Sequence, residues 1–438
     1  MKFIKFAIAA LATVAFGNAY ALHDGGVAHC DACHTMHNSS NGLPLSGTVG
    51  SAPGAYLLKG STASDTCLNC HEETLVIGAS SGKTVSTPDA QFITNANLPI
   101  SRGPAGDFRW LKVAHGTGIT GDQFGHNIIA PDHGYTNPDP LKTVGKSPGG
   151  VYPTASLQCS SCHDPHGTYR ITSLTAGTQV RGGAVGSAGL PIAASVSTRA
   201  KVEAAVTAAC VGVTCAVGTY RLLAGAGYLP KSLATSGITG FEFAAPSIVA
   251  PTTYAISEAT AAAEVFVAYG YGTAEWCSNC HSAMHKSFVS GDAGMAHPAG
   301  ITAKLGTIAA TYNAYVKSGD LSGTNNASSL VPVEQGYVDL TVLAAKAAQG
   351  PLGKTAMAAT PDSTVTCLSC HRAHATGFKS MTRFPTTATF FTDGAVAVAY
   401  KAVDGLTVAG VQAALYDRPA SNFGVYARSL CNKCHAKD

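Results

Sequence analysis

The sequence predicts a mostly irregular chain, with a few short α-helices and little β-structure. Two observations predict it. Glycine and proline are frequent, at 48 and 21 of 438 residues, and such a chain makes many turns and few long elements. The motif Cys-x-x-Cys-His also recurs six times along the chain, and this spacing is the attachment signature for c-type haem. The fold class is therefore a multihaem cytochrome c, with its core built around six haems.

The motifs are Cys30–Cys33–His34, Cys67–Cys70–His71, Cys159–Cys162–His163, Cys277–Cys280–His281, Cys367–Cys370–His371 and Cys431–Cys434–His435. Each cysteine thiol adds across a haem vinyl group to form a thioether. The histidine that follows is held under the iron as its proximal ligand. A zinc ribbon would not need His after every second cysteine. Thioredoxin-like motifs come singly on a βαβ pattern, which is absent here. The motifs consume 12 of the 14 cysteines.

The N-terminus reads as a secretory signal peptide, residues 1–21. Lys2 and Lys5 give a positive start, Phe6 to Phe16 is apolar, and Ala19-Tyr20-Ala21 is a small-x-small cleavage site. Export suits covalent haem attachment, which belongs outside the cytoplasm. The remaining 22–438 is expected to form one hexahaem body. Successive first cysteines lie 37, 92, 118, 90 and 64 residues apart, too irregular for a solenoid. Charged residues are 12% of the chain and the formal net charge is +3, so nothing points to a nucleic-acid surface. No later apolar run is long enough for a membrane span.

Four helices are legible. Ser257 caps Glu258 to Ala268, which stops at Gly270. Ile301 to Val316 carries Ile301, Leu305, Ile308, Tyr312 and Tyr315 at helical spacing. Val338 to Gln349 ends at Gly350 and Pro351, and Gly410 to Tyr416 precedes Pro419. Strands are expected to be few and short. Each motif is expected to sit on a single helical turn.

Of 16 histidines, ten lie outside the motifs: His23, His29, His37, His115, His126, His133, His166, His285, His297 and His374. They suffice for six distal ligands. Methionine is the alternative, but after Met1 only Met36, Met284, Met295, Met357 and Met381 remain. Bis-His ligation throughout is the simpler account. His37, His166, His285 and His374 each follow a proximal His by three or four residues, which places both imidazoles on one side of a helical turn. The neighbour cannot reach around the same haem, so it is expected to serve a second haem packed nearby.

Long stretches resemble the hexahaem outer-surface cytochromes, the extracellular nanowire cytochromes of metal-reducing bacteria. They include His23 to Ser39, Gly125-His126-Asn127, Cys159 to Gly167, Tyr220 to Leu233, Glu275 to His285, His297 to Gly300, Tyr315 to Thr324, Cys367 to Phe384 and Leu430 to Asp438. The resemblance implies a filament of subunits stacked head to tail, with bis-His haems in one continuous chain. It implies that His37 ligates the haem of Cys367–Cys370–His371 in the adjacent subunit. It favours His23, His37, His126, His166, His285, His297 and His374 as distal ligands. His29, His115 and His133 look like local additions, although His115 or His133 could replace one of the seven. Cys210 and Cys215 depart from the family's pattern, and in an exported protein they could close a small disulfide loop.

The sequence thus predicts a secreted electron carrier with six covalently bound haem c, located at the outer cell surface. Its partners would be copies of itself, periplasmic and outer-membrane cytochromes as electron donors, and metal oxides or electrodes as acceptors. The rivals are a soluble monomeric periplasmic shuttle and a multihaem reductase of small molecules. A reductase needs an iron with an open position, yet every motif keeps His and none reads Cys-x-x-Cys-Lys.

Overall fold

The computed structural model describes residues 33–35, 57–71, 103–136, 145–165, 223–230, 239–249, 266–284, 297–317, 330–336, 357–394 and 398–435, with short pieces between them. The signal segment, Cys210 and Cys215 lie outside the described residues. The described chain is mostly turn and irregular backbone, as its glycine and proline content requires. Six short α-helices punctuate it: α1 (Ala63–His71), α2 (Thr273–Cys277), α3 (Ile308–Ala314), α4 (Cys367–Cys370), α5 (Val408–Ala414) and α6 (Asn432–His435). None is long and apolar enough to cross a membrane among the described residues.

Strands are short, as expected, but ten are described rather than a few. β1 (Ser39–Ser40) pairs with β2 (Leu43–Pro44), and β3 (Phe92–Ile93) with β4 (Leu98–Pro99). β5 (Tyr169–Ile171), β6 (Gln179–Arg181), β7 (Ile192–Ala193) and β8 (Ala216–Gly218) form one sheet in the order β6-β5-β8-β7. Within it, only β7 and β8 run parallel. β9 (Ser247–Val249) pairs antiparallel with β10 (Ala268–Tyr271).

Two expected helices differ from the structure for identifiable reasons. Helical spacing from Ile301 gives way to an actual helix only from Ile308 to Ala314. Residues 300–305 are drawn instead into pairing with 363–365: Gly300 N–H donates to Val365 O at 2.8 Å and Leu305 N–H to Ser363 O at 2.8 Å. Tertiary pairing thus overrides local propensity. Ala268, expected at a helix end, lies in β10 opposite Val249; residues 251–265 lie outside the described part. The helix expected at Gly410 to Tyr416 is α5, shifted two residues toward the N-terminus. Thr407 caps it by accepting from Gly410 N–H at 3.2 Å. Of the helix expected at Val338 to Gln349, Val342, Leu343 and Lys346 are helical, and the rest lies outside the described residues.

The main side-chain core lies near the C-terminus. Phe378, Phe384, Phe391, Tyr400, Val411, Leu415 and Phe423 pack there with Trp110 and Leu330. A smaller cluster, Leu68, Phe108, Ile128, Ala130 and Tyr135, touches Cys159. A third, Leu305, Ala309, Tyr312, Val333 and Ala359, touches Cys434. The C-terminal stretch thus builds a side-chain core of its own, packed against Cys370.

Candidate haem centres

Each described motif is held on a tight turn. His163, His281, His371 and His435 donate their N–H groups to the carbonyls of Cys159, Cys277, Cys367 and Cys431, at 3.0, 3.0, 2.9 and 3.1 Å. Cys67, Cys70 and His71 end α1. The turn carries both cysteines and the histidine on one short arc, as attachment to two vinyls and one iron demands. In motifs three and five a serine fixes the turn. Ser161 Oγ accepts from Gln158 N–H at 2.9 Å, and Ser369 Oγ from Thr366 N–H at 3.1 Å. Sequence reasoning missed these serines, although a hydroxyl three residues after the start of a turn is a recognisable capping pattern.

The chain then pairs alongside motifs one, three and five. Thr35 N–H donates to Leu57 O at 2.8 Å and Lys59 N–H to Cys33 O at 3.0 Å, bracketing His34. Ala224 N–H donates to Cys162 O at 2.9 Å, and Tyr228 Oη to Ser160 O at 2.6 Å. The segment 370–372 pairs with 381–383: Arg383 N–H donates to Cys370 O at 2.7 Å and Arg372 N–H to Met381 O at 2.9 Å. The turn joining them puts Ser380 and Met381 in the left-handed region, at φ 57° and 59°. Such strain persists only where the surroundings fix it. Here it aims the Ser380 carbonyl at His371.

Four imidazoles are oriented by carbonyl oxygens. Nδ1 lies 2.6 Å from Ala373 O in His126, 2.8 Å from Pro148 O in His281, 2.9 Å from Pro298 O in His297 and 2.8 Å from Ser380 O in His371. A carbonyl only accepts, so Nδ1 must carry the proton. That leaves the Nε2 lone pair available to a metal, the arrangement that ligating histidines adopt. Burial pushes His126 down to about 4 and His374 down to about 3. Both rings are therefore neutral at ordinary pH, the form that binds metal.

The rings also meet in pairs. Ring centres are 6.0 Å apart in His126–His281, 6.3 Å in His163–His374 and 6.0 Å in His297–His435. A ligating imidazole nitrogen sits about 2 Å from its metal, so two imidazoles on opposite faces of one metal have centres roughly 6 Å apart. Each pair joins one motif histidine to one non-motif histidine. Among the described residues, no three side chains of His, Cys, Asp and Glu converge on a bare ion. The donor set is thus two imidazoles per site beside a pair of cysteines, which suits a metal whose remaining ligands come from a macrocycle. The residues present fit haem c.

Placement separates the remaining candidates. His126 is set by Gly125, where a Cβ would fall 2.6 Å from His374 O; its own N–H donates to that oxygen at 2.9 Å. His374 follows His371 by three residues, yet it faces His163 of another motif. His115 is fully buried, stacked on Phe124 at 3.5 Å between centres, with Nε2 3.1 Å from Trp110 O. It braces the core. His133 Nε2 lies 3.2 Å from Asn69 Oδ1. Cys30, His23, His29, His37, His166 and His285 lie outside the described residues.

First cysteines of neighbouring motifs approach each other. Cys67 lies against Cys159, and Cys277 against Cys367. α1 lies beside the turn at Cys159, and α2 beside α4.

No family model matches the chain. It is 43% identical to the C-type cytochrome OmcS of Geobacter sulfurreducens, over 96% of this chain and 95% of that protein. Its structure is similar to that of the outer membrane cytochrome S filament from Geobacter sulfurreducens. The TM-score is 0.78 at 40% identity, covering 95% of this chain and all of that one. A second structure, of the OmcS nanowires from the same organism, gives 0.74 at 39% identity over the same shares.

Proposed function

Because the chain belongs to the OmcS family of c-type cytochromes, we propose that it conducts electrons through six covalently bound haems, polymerised into an extracellular filament. It is an electron-transfer protein and not an enzyme. Haem supplies one-electron exchange between Fe(III) and Fe(II). The protein supplies attachment, axial imidazoles and spacing. The observation that carries the reading is the three histidine pairs at coordination distance, each uniting a motif with a residue remote in sequence. An iron bound on both faces passes electrons without admitting a substrate.

In this reading His126, His374 and His297 are the distal ligands for the motifs of His281, His163 and His435. His37 and two of His23, His166 and His285 serve the other three. His37 reaches the haem of Cys367–Cys370–His371 in the adjacent subunit, so that one coordination bond fixes both subunit register and haem spacing. Electron donors are periplasmic and outer-membrane cytochromes, and acceptors are metal oxides or electrodes. Electron micrographs of the secreted fraction test the proposal, with haem counted by pyridine haemochrome and spin state read by absorption. Filaments carrying six low-spin haems per chain are expected. Single chains, or a full high-spin haem that binds carbon monoxide, would overturn it.

A further inference from the structure

Buried charge is sorted along the chain. Beside motif five stand two guanidinium groups, Arg372 at 1% and Arg383 at 0% exposure. Arg383 Nε donates to the carbonyl of His371 at 3.1 Å. Both arginines donate to Pro104 O, at 3.2 Å from Arg372 Nη1 and 3.4 Å from Arg383 Nη2, and Arg372 lies 4.0 Å over the Tyr416 ring. Motif six holds Lys433 between its own cysteines, 2% exposed, with Nζ 3.1 Å from Tyr312 O and 4.1 Å over that ring. Motif three has the opposite sign: Asp164, immediately after His163, is 3% exposed. Glu334, 1% exposed, is a buried carboxyl near both Cys277 and Cys367, so motif five sets two guanidinium groups against one acid.

A fixed charge in a water-poor site acts strongly on a nearby redox centre, because little solvent screens it. Positive charge favours the iron that gains an electron, and negative charge favours the one that loses it. Charge and burial are among the levers by which a protein sets haem potential. We infer that the chain carries a built-in step in reduction potential: the haems held by His371 and His435 take an electron more readily than the one held by His163, with Arg383, Arg372 and Lys433 raising the former and Asp164 lowering the latter. Arg383 is also a positioning residue, since it holds the His371 backbone carbonyl while the Ser380 carbonyl holds the ring at Nδ1.

The inference rests on the haem reading above, and its test separates the two. Arg383→Gln and Asp164→Asn are made in the full secreted protein, and each is titrated potentiometrically while the haem bands are followed. In Arg383→Gln, one sixth of the signal should move to lower potential by about tenfold in electron affinity, which is 59 mV for a one-electron couple. In Asp164→Asn, a different sixth should move upward by a comparable factor. Arg383→Lys keeps the charge and should hold the potential near its original value. Lys433→Gln serves if Arg383→Gln does not assemble, and should lower the potential of one haem. Unmoved titrations, or shifts of the same sign for the two charges, would overturn the step while six low-spin haems remained. A loss of haem from the unaltered protein would instead overturn the underlying reading.

Discussion

The stretch between Cys370 and Cys431 and the stretch around Cys67 and Cys159 solve the same problem differently. Between Cys370 and Cys431 there is no haem motif, and the chain builds a core from side chains. Phe378, Phe391, Val411 and Leu415 there are wholly buried. Thr407 caps α5, and the left-handed pair Tyr416 and Asp417, at φ 59° and 56°, turns the chain out of it toward Pro419. Around Cys67 and Cys159 two motifs lie side by side, and the side-chain cluster is only Leu68, Phe108, Ile128, Ala130 and Tyr135. Buried apolar area stabilises a fold whatever supplies it. Where motifs crowd, a large flat cofactor can supply it; where they are sparse, side chains must.

The sharpest way to break this comparison is to hollow the side-chain core. Phe391→Ala removes a wholly buried ring that packs on Tyr400 and Phe423. It should cost about 3–5 kcal/mol, read as an earlier guanidinium transition in far-ultraviolet circular dichroism. The haem spectrum of motifs two and three should persist at concentrations that melt this region. A single transition shared by both signals would show that the regions are not separable.

A smaller effect probes the seam where the core meets the rest. Gly405 has φ +78°, and a Cβ there would fall 1.5 Å from His115 O. Gly405→Ala should cost about 1–3 kcal/mol through strain alone, by the same denaturation measurement. An unchanged transition would mean that the 404–406 turn is free to move. The least effect should come from the surface. Lys304 and Asp362 are bridged at 2.8 Å but are 58% and 77% exposed. Lys304→Ala should therefore shift stability by at most about 1 kcal/mol. A larger loss would show that the pairing of 300–306 with 361–365 depends on this bridge.

The motifs were legible because covalent attachment fixes their spacing. His374 was expected to serve a second centre, since three residues from His371 it cannot reach around the same one, and its ring stands 6.3 Å from that of His163. Gly125 beside His126 was visible only as part of a family resemblance. Its steric reason, the nearby His374 carbonyl, appears once the strands are laid together. The groups orienting the imidazoles were not legible at all. Ala373, Pro148, Pro298 and Ser380 act through backbone carbonyls, which every residue has, so no side-chain pattern marks them. The helix expected from Ile301 failed for a related reason. Its periodicity is real, but the backbone of 300–305 is taken up by Ser363 and Val365.

The contact between Cys67 and Cys159, repeated at Cys277 and Cys367, bears on the order of assembly. In an oxidising compartment two thiols held side by side can be oxidised to a disulfide. A chain that folded before attachment would bring these cysteines together while they were still reactive. A bond between them would cost an attachment point on each of two motifs. Loading each motif while its turn is still open avoids that trap. The packing that places neighbouring motifs side by side also sets a deadline for their maturation.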